Sequence, residues 1–169
     1  VPASANNSVG AWSTVHSWPL IAVHAVLMPD GRVLSYGTTA SGQQTGHSIY
    51  AVWDPSEGLD AGHVTLPNNT GTDIFCSSQL ILPQSGNIFL AGGDNWVSGR
   101  TTNTGNNNTN VFNPADNSLA RGNNLNRARW YSTSTVLLNG EIYIQGGTGG
   151  ADLPEIRDLG GGMRLLPSA

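Results

Sequence analysis

The sequence contains Ser78-Gln-Leu-Ile-Leu-Pro-Gln-Ser-Gly86-Asn-Ile-Phe-Leu-Ala-Gly-Gly93, two apolar runs joined through a turn and closed by two glycines. The pattern occurs twice more, as His24-Ala-Val-Leu-Met-Pro-Asp-Gly31-Arg-Val-Leu-Ser-Tyr-Gly37 and as Thr133-Ser-Thr-Val-Leu-Leu-Asn-Gly140-Glu-Ile-Tyr-Ile-Gln-Gly-Gly147. Glycine at the turn supplies the positive φ that a tight hairpin needs. Each copy therefore predicts a two-stranded hairpin, and the three copies predict an internal repeat.

A second element repeats as well, and it predicts the outer half of each unit. It reads Tyr50-Ala-Val-Trp-Asp-Pro55 in the first unit and Thr109-Asn-Val-Phe-Asn-Pro114 in the second. Proline ends a strand ladder, so each copy predicts a third strand that stops there, followed by a short fourth strand. The turn glycines lie 55 and 54 residues apart. Since no segment shows a helical period, the sequence predicts an all-β fold built of β-propeller blades.

The repeats also set the expected domain organisation. The blades are placed at about residues 19–70, 71–127 and 128–169 of one propeller domain, and residues 11–18 are a candidate ring-closing strand. The third unit is expected to end after its second strand, which gives two and a half to three blades. A propeller typically has 4–8 blades, so the rest of a ring is needed to complete the fold. The polar stretches 38–48 and 95–110 are expected to be loops, and the second is expected to be exposed.

Composition and charge exclude several function classes. Only 11% of the residues are charged, all seven bases are Arg, and the net charge is −4. With no basic patch, a nucleic acid or an anionic membrane is not expected as a partner, and no apolar run approaches the length of a membrane span. A single cysteine excludes an internal disulfide. The polar, Lys-free composition leads us to expect a secreted or cell-surface protein, whereas the Asn-X-Ser/Thr patterns arise easily by chance in so Asn-rich a sequence.

Cys76 and Tyr131 occupy the same position in consecutive units. Cys76 lies seven residues before Pro83, and Tyr131 lies seven residues before Leu138. Equivalent positions in neighbouring blades lie side by side at one end of a propeller. We therefore expect the thiol and the phenol to be neighbours, which is the starting arrangement for a thioether-linked tyrosine.

Phe75-Cys-Ser-Ser-Gln-Leu80, the Gly-Gly strand ends and Ala128-Arg-Trp-Tyr131 together carry a family resemblance. They resemble the Kelch-type propeller of the galactose oxidase and glyoxal oxidase family, the copper radical oxidases, over about residues 11–166. The Arg-Trp-Tyr sequence is closer to the glyoxal oxidase branch. The resemblance implies Kelch-like blades from the N-terminal part of a seven-bladed propeller.

The resemblance also implies chemistry for two residues. Cys76 would be joined through sulfur to the ring of Tyr131, and Tyr131 would be the radical site and a copper ligand. The pair would serve a copper-dependent oxidation of a primary alcohol, aldehyde or carbohydrate by O2, with H2O2 as product. The family's other copper ligands, two His and an axial Tyr, match nothing in this sequence. These residues alone are therefore expected to be inactive.

Other residues that could carry chemistry are interpreted as structural. Asp73, Asp94 and Asp152 are dispersed and lack the spacing of a calcium loop, which favours turn and cap roles. The four histidines, at positions 16, 24, 47 and 63, lack metal-ligand spacing. Where galactose oxidase has a Trp that stacks on the thioether, this sequence has Gly149. Trp130 and Trp96 are the remaining candidates for a shield, although Trp130 is better interpreted as a pocket wall and Trp96 as a surface anchor.

Two other functions remain open at this level. One is a non-catalytic Kelch-type module that binds carbohydrate or protein, in which Cys76 is an ordinary core residue. The other is a small β protein that closes a ring by oligomerising. A downstream Tyr-His pair and a later His would distinguish the oxidase from the binding module.

Overall fold

The computed structural model describes residues 12–149 and 152–167. They form three four-stranded antiparallel sheets and one two-stranded hairpin. Among these residues the only helical segment is the 3-10 turn Pro55–Glu57, which Asp54 caps through a bond from the Ser56 N–H. The prediction of an all-β chain is therefore confirmed.

The first sheet follows the order of the chain, β1-β2-β3-β4. Its strands are β1 (Ile21–Leu27), β2 (Val33–Thr38), β3 (Ile49–Trp53) and β4 (His63–Pro67). The second sheet has the spatial order β10-β9-β6-β5. Its strands are β5 (Ser78–Ile81), β6 (Ile88–Ala91), β9 (Thr109–Asn113) and β10 (Ser118–Arg121). The small hairpin pairs β7 (Trp96–Val97) with β8 (Arg100–Thr101).

The third sheet is complete, which corrects the expectation that it ends after its second strand. Its strands are β11 (Trp130–Val136), β12 (Ile142–Thr148), β13 (Glu155–Arg157) and β14 (Met163–Leu165). The two outer strands are only three residues long, and β13 is not followed by the Asp/Asn-Pro signal of the other units. The described part of the chain therefore holds three four-stranded sheets.

The hairpin turns adopt the backbone that the glycines predicted. Gly31, Gly86 and Gly140 have φ values of 87°, 74° and 83°. Such values are readily adopted only by glycine. The repeat signal in the sequence therefore marks the same turn in each sheet.

Two apolar cores lie between successive sheets. The first joins sheets one and two through residues that include Leu34, Tyr36, Ile88 and Phe112, all buried. The second joins sheets two and three and includes Phe89 and Ile142. Burying one such side chain stabilises the fold by about 1.5–3 kcal/mol. Because β6 contributes to both cores, all four of its residues are buried, as expected for a strand covered on both faces.

The polar loops are more buried than their composition predicted. Thr45 in stretch 38–48 is 5% exposed, and Asn106 in stretch 95–110 is 5% exposed. The Asn106 amide donates to the carbonyl oxygens of Asp73 and Asp94, at 2.9 and 2.5 Å. These loops therefore pack partly against the sheets, and the prediction of an exposed loop at 95–110 holds for residues 97–100 but not for Asn106, Thr109 and Asn110.

The segment before β1 makes side-chain contacts but forms no strand over residues 12–18. Trp18 packs edge-on against Trp53 at 5.0 Å between ring centroids, and its indole N–H donates to Ser35 Oγ. The role of residues 11–18 as a ring-closing strand stays a prediction, and Ala11 lies outside the described residues.

In the described ranges we find no helix with the length and apolar character required to traverse a lipid bilayer.

Candidate functional site

Cys76 and Tyr131 share an unusual backbone conformation. Both are non-glycine residues with a φ of 61°. The left-handed region costs an L-residue roughly 1–2 kcal/mol, so its use at two matching positions indicates a backbone held by its surroundings. The N–H of Tyr131 donates to the Cys76 carbonyl oxygen at 3.1 Å. The predicted adjacency of the two residues is therefore confirmed at the level of the backbone.

The side chains of the two residues also meet. The Cys76 thiol is buried, with 1% of the residue exposed, whereas Tyr131 is 62% exposed. The Tyr131 hydroxyl lies close enough to the Cys76 sulfur for each group to shift the pKa of the other. Burial raises the pKa of the Cys76 thiol, and the nearby Tyr131 hydroxyl partly offsets that rise. The Cys76 thiol, followed by burial, raises the pKa of Tyr131, so both groups carry their protons at neutral pH.

The glycine pairs that end the inner hairpins allow this approach. A Cβ on Gly92 would lie 2.2 Å from the Arg129 carbonyl oxygen, and a Cβ on Gly93 would lie 2.5 Å from that of Asp73. The Gly93 N–H donates to the Arg129 carbonyl at 2.9 Å. The Gly-Gly signature is therefore required where the chain entering Tyr131 passes the end of β6.

His24, which the sequence did not single out for function, supports Cys76 directly. Its Nε2 accepts the backbone N–H of Cys76 at 3.0 Å. The imidazole stacks on Tyr36 at 4.7 Å and meets Phe75 edge-on at 5.4 Å. Burial lowers the pKa of His24, which favours the neutral ring that this acceptor role needs. His24 is thus structural, as predicted, but its structural role is at the site.

Arg129 anchors the other half of the site. It is completely buried and forms an ion pair with the equally buried Glu155 at 2.9 Å. Its guanidinium also donates to the backbone carbonyls of Gly146, at 2.8 Å, and Leu153. Glu155 accepts from the Asn126 N–H and side-chain amide at 2.7 and 3.0 Å. The residues before Tyr131 are therefore fixed by a fully satisfied charge pair inside sheet three.

Trp130 has the position that the sequence predicted for a pocket wall, whereas Trp96 does not have the position of a surface anchor. Trp130 lies 5.0 Å from the Tyr131 ring centroid at 41°, so it forms a wall beside that ring. Its buried indole N–H acts on the Cys76 thiol, although the contact falls short of a formed hydrogen bond. Trp96 instead stacks on His47, with the ring centroids 3.4 Å apart and the planes at 7°. It is half-buried against that histidine rather than a plain surface anchor.

Gly149 has a backbone that disfavours any larger residue. Its φ is 95°, and an added Cβ would lie 2.9 Å from the Ala128 carbonyl oxygen. A stacking Trp could not be placed there without moving the chain. Any side chain that shields Tyr131 must therefore come from another position, and Trp130 is the neighbour that already touches it.

The donor set of this chain fits copper only in part. Tyr131 presents an exposed phenol oxygen, a ligand type that copper accepts once deprotonated. Among residues 12–149 and 152–167, no group of three His, Cys, Asp or Glu side chains is placed to hold a metal ion. The described residues can therefore supply one oxygen ligand, with a sulfur beside it.

The fold and the paired positions are similar to those expected of a galactose oxidase-like chain, and comparisons with known proteins support this likeness. No family model matches the chain. Galactose oxidase from Gibberella zeae is 26% identical over 145 residues, which cover 83% of this chain and 19% of the relative. A solved fungal alcohol oxidase of the AA5 family, in complex with copper, superimposes with a TM-score of 0.69 at 19% identity. That match covers 92% of this chain and 32% of the other.

These likenesses confirm the galactose oxidase-like resemblance and the partial β-propeller. At 19% identity the alcohol oxidase supports the fold, and the sequence match to galactose oxidase supports the resemblance. The chain spans 19% of the length of the curated relative. The blade total of seven and the Kelch assignment stay predictions.

Proposed function

We propose that these residues form the Cys–Tyr part of a copper radical oxidase. The whole protein would oxidise a primary alcohol, aldehyde or carbohydrate and pass two electrons to O2, releasing H2O2. The resemblance to galactose oxidase and the fold shared with a copper-containing alcohol oxidase support this class. The precise substrate depends on residues beyond those described.

One observation carries the proposal: Cys76 and Tyr131 occupy matching, strained positions of adjacent sheets, joined by a backbone hydrogen bond, with the thiol and the hydroxyl close enough to shift each other's pKa. The ring carbon ortho to a phenol oxygen is only two bonds from that oxygen, so the sulfur lies close to the carbon it would bond. Joining them forms a C–S bond and breaks one S–H and one C–H bond. The two protons and two electrons released would reduce O2 to H2O2.

Each residue has a defined task in this proposal. The Tyr131 oxygen, once its proton has left, would be a copper ligand, and its ring would hold the unpaired electron. The Cys76 sulfur would delocalise that electron and ease one-electron oxidation of the ring. Trp130 would cover one side of the ring against solvent. Copper, when bound, would supply the second one-electron redox centre.

The environment of the whole protein follows from the same proposal. An enzyme that releases H2O2 and binds copper is suited to a secreted or cell-surface location, in agreement with the Lys-free, weakly charged composition. One phenolate is too few ligands for a catalytic copper, so we infer that turnover needs ligands from beyond the described residues.

Peptide mass spectrometry of the full-length protein, expressed with copper and O2, tests the proposal. Trypsin should release residues 33–100 and 130–157 as one cross-linked species, lighter than their sum by two hydrogens. Cys76→Ser is the matched control, since it keeps a small polar side chain and should yield two separate peptides.

Two separate peptides from copper-loaded wild-type protein, with a free thiol at Cys76, would contradict the proposal. The chain would then be assigned to the non-catalytic binding modules of the same fold. A second outcome is a cross-linked protein whose rate of O2 reduction does not rise when an alcohol or aldehyde is added. That outcome would support the cofactor but refute the proposed substrate class.

A further inference from the structure

A cavity of about 160 Å³ lies beside the site, and two buried carboxylates line it. They belong to Asp73, just before the Phe75-Cys76 segment, and to Asp94, just after the β6 strand. Asp73 is 2% exposed and Asp94 is 0% exposed. These aspartates are dispersed in the sequence, but the fold brings two of them to one cavity. Asp152, the third, is exposed elsewhere.

Each carboxylate uses one oxygen locally and leaves the other without a partner. Asp73 Oδ1 accepts the Phe75 N–H at 3.0 Å, and Asp94 Oδ1 accepts the Asn95 N–H at 2.7 Å. The predicted turn roles are therefore real for these two oxygens. The Oδ2 atoms of both residues are buried, and within the described ranges neither has a hydrogen-bond partner. Burying a carboxylate oxygen without a hydrogen-bond partner costs free energy. We therefore expect a ligand to contact these two oxygens.

The aspartates are held in place by the surrounding backbone rather than by each other. The Asn106 side chain donates to the main-chain carbonyls of both, which ties the two segments together. The Asp94 N–H donates to the Phe75 carbonyl at 2.7 Å. The site is thus built before any ligand arrives, which lowers the entropy cost of binding.

No cationic side chain of the described residues is paired with this negative charge. The ion pairs in residues 12–149 and 152–167 all involve other acids, and Arg129 is opposed by Glu155. His47 lines the cavity, and burial lowers its pKa, so its ring is neutral near pH 7. Burial, and then the charge of Asp94, raises the pKa of Asp73 to about 6.

We propose that this cavity binds a hard divalent cation of the calcium class, held by the Oδ2 atoms of Asp73 and Asp94. Two carboxylates balance a divalent charge, and Thr72, Asn95 and Asn108 line the same cavity with neutral oxygens that can complete the coordination. Calcium accepts six to eight oxygens in a flexible geometry, whereas magnesium demands a strict octahedron. Although His47 lines the cavity, no three His, Cys, Asp or Glu side chains within residues 12–149 and 152–167 are placed to hold one ion together, which favours an oxygen-ligated cation over a transition metal.

The proposal does not rest on the oxidase chemistry, and terbium tests it without any activity measurement. Tb³⁺ replaces calcium at oxygen sites and emits when a nearby indole is excited. Trp96 lines the cavity and is a built-in sensitiser. Titration of the chelator-treated full-length protein should give a saturable emission that excess Ca²⁺ removes and equal Mg²⁺ does not.

The variants Asp73→Asn and Asp94→Asn locate the site. Asparagine keeps the Oδ1 acceptor, so the fold should be retained, but each variant should weaken calcium binding at least about tenfold, as loss of a charged ligand does. Glu57→Gln removes one exposed charge that does not line the cavity and should bind like wild type. If Tb³⁺ also emits from other sites, calorimetric titration with Ca²⁺ compares the calcium affinity of wild type and of the variants directly.

Three results would overturn the proposal. They are calcium binding by both aspartate variants that equals wild type, a wild-type protein that takes up no Ca²⁺ at millimolar concentration, and competition by Mg²⁺ as effective as that by Ca²⁺. Melting temperature under chelator checks that each variant is folded before its binding is compared.

Discussion

The backbone N–H of Tyr131 donates to the carbonyl oxygen of Cys76 at 3.1 Å, and both residues have a φ of 61°. The two residues whose side chains meet are therefore also joined through the main chain. This hydrogen bond joins the third sheet to the segment that leads into β5 of the second sheet, and it fixes the position of one sheet relative to the other. The contact between thiol and phenol is thus a product of the fold, present before any covalent bond forms.

Removing the phenol oxygen should abolish the cofactor but spare the fold. Tyr131→Phe keeps the ring and the φ of 61°, and the residue is 62% exposed, so its free energy of unfolding should change by less than about 1 kcal/mol. Without a ligand oxygen, the thioether should not form. Thiol titration of the denatured, copper-loaded protein should find one free Cys76 in the variant and none in wild type.

Oxidase activity of the same variant should fall about 100-fold or more, because a metal ligand is lost. Tyr143→Phe is a matched control, since that tyrosine is half-buried on β12 and its hydroxyl donates to Gln145, away from the pair. A Tyr131→Phe variant with full activity and a blocked thiol would contradict the assignment of Tyr131.

His24 should contribute stability through the Cys76 N–H. His24→Phe keeps the stack on Tyr36 but removes the Nε2 acceptor, which leaves a buried N–H unpaired at a cost of about 1–3 kcal/mol. Because the folded-state pKa of His24 is lowered from 6.5, the folded protein resists protonation. Wild-type stability should therefore drop as the pH falls below about 6.5, and His24→Phe should remove part of that drop.

His16→Phe is the comparison for this prediction, since His16 is paired with the largely exposed Asp60 and should matter little. Urea unfolding of the full-length protein at several pH values gives both quantities. Equal free energies for wild type and His24→Phe at neutral pH would show that the Cys76 N–H finds another acceptor.

The repeat and the pairing of Cys76 with Tyr131 could be predicted because they depend on local signals. Turn glycines and apolar runs recur at a fixed spacing, so equivalent residues fall at one end of adjacent sheets. The left-handed φ of both residues could not be predicted, since nothing in either residue type favours it. The neighbouring residues are tightly packed, since a Cβ on Gly93 would lie 3.0 Å from the Phe75 carbonyl oxygen and one on Gly147 would lie 2.9 Å from that of Trp130, and only the packed structure reveals these approaches.

The missed features depend on residues distant in sequence. Glu155 lies 26 residues after Arg129, so the buried ion pair leaves no motif in the chain. The strand that carries Glu155 is three residues long, too short for a periodic pattern. Asp73 and Asp94 meet only because β6 returns the chain to the end at which Asp73 lies, which no spacing rule for a calcium loop describes.

Breaking the buried ion pair should be the most destabilising single change near the site. Glu155→Gln leaves the Arg129 charge buried without its counter-charge, and both side chains are 0% exposed, so we expect a loss of about 3–5 kcal/mol. The second pair, Arg164 with Glu141, is 53% and 17% exposed. Glu141→Gln should therefore cost less than about 1 kcal/mol, and chemical denaturation measures both.

The same pair should also position Tyr131. If Arg129 orients the chain entering Tyr131, Glu155→Gln should slow thioether formation in protein that remains folded, while Glu141→Gln should not. Similar free energies of unfolding for the two variants would show that another group satisfies Arg129.

Asp73 gives a pH dependence of opposite sign to that of His24, and a cation should reverse it. Its folded-state pKa of about 6 is raised from 3.8, so the folded state holds the proton more tightly, and stability is lost as the pH rises through about 6. In chelator at about pH 8, Asp73→Asn should therefore be more stable than wild type, by on the order of 2–3 kcal/mol. The difference should vanish near pH 4. With saturating Ca²⁺ at pH 8, the order of the two proteins should invert, because only wild type retains the full ligand set. Thermal denaturation at each pH, with chelator and with Ca²⁺, measures the effect. If Asp73→Asn stabilises the protein equally at every pH, Asp73 is already ionised at low pH in the folded protein, and the predicted pH dependence is wrong.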